Sequence, residues 1–235
     1  MVRGPAAVLT ASAGALLYLE LAPSLPAPGD DDLTTLVGGC AALVVVALVV
    51  LALVEARNAV VLLALFATGG GLVAGALQVA QAGAAADAAK LLFAGALGML
   101  LARLLDTPPV IVAVPVFVAG IALAGTLSSS ASPLVHDQSQ MADFVTISLP
   151  RWGGRGETQL SLSDVIFLAF FAAGAWRYGF RRGATAAGLF LGLGATLAAG
   201  VAAGRELPVL PGLAVGLLAP NIDRVLALLQ RRVDA

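Results

Sequence analysis

Ser161-Leu162-Ser163-Asp164 sets a carboxylate at the mouth of an apolar run, VIFLAFF. Two chemistries fit it. Serine followed three residues later by an acid has the form of a capping box, and an aspartate in a first turn suits the positive end of a helix. The same aspartate could be half of a catalytic pair, in which two carboxylates share a proton and a water, one acting as base and the other as acid. Asp87 and Lys90 stand three apart, so they meet on one helix face and predict a local ion pair. Asp106, before Pro108-Pro109, predicts an interfacial turn. His136, the only histidine, stands beside Asp137 in a polar stretch and reads as loop surface. Cys40 is the only cysteine, so there is no disulfide framework and no cysteine-based metal site. Nothing else supplies metal ligands, and no cofactor is expected.

The elements that must position Asp164 follow from composition. Of 235 residues, 60% are hydrophobic and 11% charged, against roughly 25% charged in soluble domains. A soluble fold of this size could not hide so much apolar surface, so the chain is a polytopic membrane protein in contact with the lipid bilayer. A net charge of -1 argues against a nucleic-acid partner. Eight spans are expected, over about 4–22, 34–54, 58–81, 84–104, 108–128, 161–179, 183–203 and 207–220, within a single membrane domain covering 1–235. The fold class is an all-α transmembrane bundle. Glycines four apart (71 and 75, 188 and 192, 200 and 204) predict close helix packing.

With the N-terminus inside, Arg3, Arg57, Arg103, Arg177, Arg181, Arg182, Arg224, Arg231 and Arg232 fall on the cytoplasmic side. Lys90, Arg151, Arg155 and Arg205 fall outside, together with Asp30-Asp31-Asp32 and the 129–160 loop. Both termini are then cytoplasmic, in the plasma (cytoplasmic) membrane. The first span, which carries Glu20 and precedes SLPAPG, is expected to be retained rather than removed as a signal peptide. Residues 221–235 put Ile222, Val225, Leu226 and Leu229 on one face and the arginines toward the other. They predict an amphipathic tail on the inner surface, or a simple continuation of the eighth span.

In the outer loop, Val145, Ile147 and Leu149 alternate with polar residues, the period of a strand. After Pro150 and glycines 153, 154 and 156, Thr158, Leu160 and Leu162 could form a returning strand. The other reading is an interfacial loop anchored at the headgroups by Trp152 and Arg151.

SLSD, opening a span and followed by VIF, resembles the GxGD signature of presenilin and signal-peptide-peptidase-type intramembrane aspartyl proteases. Leu207-Pro208-Val209-Leu210-Pro211 resembles the LPALP form of that family's PAL motif, with Val209 in place of alanine. The order also matches: a long loop, the GxGD span, one further span, then the PAL-opened helix. The resemblance covers about residues 108–220. It implies a presenilin-like C-terminal half, Asp164 as a catalytic acid, and substrate contacts from Leu207 to Pro211 and from a strand holding Val145, Ile147 and Leu149. That strand would pair with an extended segment of a single-span transmembrane polypeptide. Two departures count against catalysis. Ser161 and Ser163 replace both signature glycines, and the preceding span, Val114 to Ser130, has no acid where the family keeps its partner aspartate. Asp106 lies at the opposite end of its span, about 30 Å from Asp164; Asp87, Asp137 and Asp143 share Asp164's side. A fainter similarity to prepilin peptidases lacks the PAL-like element.

Three functions follow as expectations. The foremost is a catalytically degenerate presenilin-like protein that binds transmembrane segments. The others are an active divergent peptidase using Asp164, and a small transporter or channel subunit.

Overall fold

The computed structural model describes residues 3–105, 107, 110–128, 143–154, 156–205 and 207–233. Asp106, Pro108-Pro109, His136 and Asp137 lie outside them, so the expectations placed on those residues stay at the level of sequence. The protein is mostly helical, with one two-stranded sheet.

All eight apolar segments fold as helices: α1 (Arg3–Leu21), α2 (Asp31–Glu55), α3 (Val60–Val79), α4 (Gly83–Leu104), α5 (Val110–Ser128), α6 (Leu162–Arg177), α7 (Arg182–Ala203) and α8 (Leu210–Leu218). A 3-10 turn, Ala219–Asn221, leads into α9 (Ile222–Val233). Six stretches are long and apolar enough to cross a membrane: those of α1 to α4, that of α7, and Leu210–Leu228. An integral membrane protein follows from them. Helix α6 is shorter, with 16 residues, about 24 Å at 1.5 Å per residue. Hydropathy set the start of α2 three residues late. Asp30 accepts from the Leu33 N–H at 2.9 Å, and this cap adds Asp31 and Asp32 to the first turn.

Helix α4 lies at the centre, against α1, α2, α3 and α6. Its crossing with α6 is close, since a Cβ on Gly98 would stand 2.2 Å from the Ile166 carbonyl oxygen. Helices α7 and α8 meet through a reciprocal glycine seam: a Cβ on Gly188 would lie 2.2 Å from the Gly216 oxygen, and one on Gly192 2.2 Å from the Gly212 oxygen. The pair at 200 and 204 works differently. Gly204, at φ +60°, ends α7, and the Arg205 N–H bonds the Gly200 carbonyl at 3.1 Å. Helix α1 belongs to the core, burying Val8, Ala15 and Leu19.

Arginines gather at one end of the bundle, where helix C-termini leave carbonyls without intrahelical partners. Arg57 donates to the Val54 carbonyl at 3.0 Å, Arg103 to that of Arg57, and Arg177 to those of Ala102 and Arg103 at 3.4 and 3.3 Å. Arg181 donates to the Pro220 carbonyl at 3.4 Å and pairs with Asp223 at 2.9 Å. The apolar face expected of the tail is split. Val225 is buried and Leu228 packs on the core, whereas Ile222 and Leu226 face outward.

The opposite end carries the hairpin. Strands β1 (Thr146–Pro150) and β2 (Glu157–Ser161) pair antiparallel, Ile147 opposite Leu160 and Leu149 opposite Thr158. Val145 falls short of the strand and is exposed. Leu162 belongs to α6, because Ser161 already caps that helix. Trp152 Nε1 donates to the Tyr18 hydroxyl at 3.2 Å, which in turn donates to the Gly38 carbonyl at 3.1 Å, so the loop is tied to α1 and α2.

Candidate functional site

The last residue of β2 is also the N-cap of α6, so strand and helix join without a linker. Ser161 Oγ accepts from the Ser163 N–H at 3.3 Å, and the Asp164 carboxylate accepts from the Ser161 N–H at 3.3 Å. The capping box is therefore formed, and it orients Asp164 inward, where the residue is buried. Among the described residues, Ser161 N–H is the only hydrogen-bond donor to this carboxylate.

Two clamps hold the hairpin. One is the Trp152–Tyr18 bond to α1. The other is Lys90 on α4, which donates to Asp87 at 3.0 Å and to the carbonyls of Asp143 and Thr146 at 2.7 and 2.8 Å. All three ammonium protons have acceptors, which lets a lysine exposed by only 3% sit in the bundle. The expected Asp87–Lys90 pair is thus present and buried, and it fastens β1 to α4.

A cavity of about 640 Å³ lies beside Asp164. Thr158, Gln159, Leu160 and Ser161 border it consecutively, and the loop and first turn of α8, Leu207 to Leu210, form another wall. Helices α2 and α7 contribute Leu43, Leu193 and Leu197. The structure thus brings Asp164, Leu149, Leu207, Pro208, Val209 and Leu210 to one cavity. Pro211, Val145 and Ile147 do not line it. Ile147 is wholly buried in the core and Leu149 nearly so, leaving little of either side chain for a ligand.

Sequence reasoning missed several lining residues. Asp31 and Asp32, exposed in the first turn of α2, border the cavity that holds Asp164. The orientation argument already put these aspartates on the outer side, which was the available signal. Arg151, Thr158 and Arg205 also border it, and among the described residues neither Arg151 Nε nor Thr158 Oγ1, both shielded atoms, has a hydrogen-bond partner. Chemically, the site offers one buried carboxylate committed to a helix cap, two acids at the mouth, two guanidinium groups and an apolar wall. No three metal-ligating side chains come together among the described residues. Comparison with protein-family models, curated proteins and solved structures finds no match.

Proposed function

We propose that the protein is a presenilin-like integral membrane protein that binds an extended transmembrane-derived polypeptide beside β2 without cutting it. The observation that carries this reading is the shared cavity. The SLSD turn and the Leu207–Leu210 segment, 43 or more residues apart in the chain, border one space. Side chains alternate along a strand, so four consecutive β2 residues at one cavity place it along the strand's edge. An unpaired edge offers backbone groups for an added strand. The missing acid on α5 and the engagement of Asp164 as a cap argue against cleavage.

In this reading α5 and α6 complete eight spans, and both termini are cytoplasmic, with the arginine-rich end inside. The short α6 sets its capped end below the headgroups. Irregular backbone is tolerated at that depth where it lines a cavity.

The test is photo-crosslinking in the full chain, with a benzophenone residue at Gln159 or Val209 and a co-expressed single-span protein. Crosslinks at both positions, with the partner uncut, are expected. Crosslinks no stronger than at lipid-facing Leu72 reject the proposal. A second reading, an active aspartyl peptidase, draws support from Asp31 and Asp32 bordering the same cavity as Asp164. It requires cleavage of the co-expressed protein that is lost in Asp164→Ala and in the double variant Asp31→Ala/Asp32→Ala.

A further inference from the structure

The geometry points to the cavity beside β2 as a binding site for an amphiphile with an oxyanion head, a carboxylate or phosphate carried on an apolar chain. The inference stands on the cavity alone and does not depend on the polypeptide reading.

Arg151 follows β1, and Thr158 lies opposite Leu149 near the same end of the hairpin. Arg151 is half-buried, and among the described residues no hydrogen bond or ion pair engages its guanidinium; Thr158 Oγ1, shielded within the hairpin, also has no partner among them. Asp31 and Asp32 border the same space, yet no ion pair joins either to Arg151 or Arg205 among the described residues. A half-buried guanidinium without an acceptor is costly, and an oxyanion is the acceptor that suits its outer N–H groups best. Exposed Arg205 borders the same space and supplies further positive charge to the head. Much of the remaining wall is apolar: Leu43 and Leu193, both buried, and Leu197 and Val201, both partly buried, line it. A free anion would leave that wall unfilled, and an uncharged chain would leave Arg151 unpaired.

The experiment uses the full chain, stripped of lipid in a neutral detergent, and measures melting and binding with four probes. Dioleoyl phosphatidic acid carries a phosphate head, oleate a carboxylate, dioleoylglycerol the chains without charge, and inorganic phosphate the charge without chains. Phosphatidic acid, oleate or both should raise the melting temperature and bind about tenfold or more tightly than dioleoylglycerol, the order expected of a charged hydrogen bond. Inorganic phosphate should give no shift. Which of the two anionic amphiphiles binds assigns the head. In Arg151→Gln the ligand-induced shift should vanish while the stripped protein melts no lower than the stripped parent, because the arginine has no partner to lose. Arg205→Gln, at an exposed position bordering the same cavity, should weaken the same binding and reads the site if the Arg151 variant does not fold. Equal binding of dioleoylglycerol, a shift with inorganic phosphate alone, or an undiminished shift in both variants overturns the inference.

Discussion

At the residue scale, the central fact is that Asp164 serves its own helix first. Removing the carboxylate frees the Ser161 N–H in a part-buried turn, so Asp164→Ala should lower stability by about 1 kcal/mol, with Ser161→Ala similar. Thermal melting in detergent measures both. No loss in either variant would show that the capping box contributes nothing. Lys90 carries a larger burden. Lys90→Met would strand a buried Asp87 without its cation, a loss of about 3–5 kcal/mol, while Lys90→Met combined with Asp87→Leu should recover most of it. Comparable melting of the single and double variants would contradict this account. The capping pattern and the i,i+3 spacing were legible because both are local. The acceptors that Lys90 finds on the Asp143 and Thr146 carbonyls were not, since they lie 53 and 56 residues away.

At the element scale, the helices were legible almost entirely, because long apolar runs admit few other structures in lipid. The errors fell where polar residues set the ends, as Asp30 does for α2 and Ser161 for α6. Alternation found the hairpin, yet it counted Val145 and Leu162 as strand residues, since a period of two cannot show where pairing stops. It also could not show that Ile147 faces the core. The glycine spacings announced packing without saying which pairs meet. Gly188 and Gly192 face Gly212 and Gly216, so Gly188→Leu must drive α7 from α8 and should cost at least 1–3 kcal/mol. Gly194, with nothing within 4 Å of a built Cβ, is the control: Gly194→Ala should leave melting unchanged or raised. Equal effects at the two positions would mean that the seam does not hold the helices.

At the scale of the whole molecule, the membrane class was plain from composition, whereas the cavity was not. It is assembled from α2, the hairpin, α6, α7 and the turn before α8, and no single segment announces it. The SLSD and LPVLP motifs were paired only through a resemblance, and the inferred orientation put Asp31, Asp32 and Arg151 on the same outer side without showing that they would border one cavity. Sidedness is open to direct measurement. In a Cys40→Ala background, single cysteines at Gln81 or Gly156 should react with an impermeant maleimide added outside intact cells, and cysteines at Asn58 or Gly179 should react only after lysis. The reverse pattern would invert the proposed topology.

The junction at Ser161 has a mechanical consequence. Because one residue closes the strand and starts the helix, the hairpin has no slack with which to slide. A one-residue slip of β2 would turn each of its side chains to the opposite face and drag the first turn of α6 along with it. Whatever grips the strand therefore also holds the acid's aim, so that occupancy and carboxylate orientation behave as one rigid coupling rather than two adjustable parts.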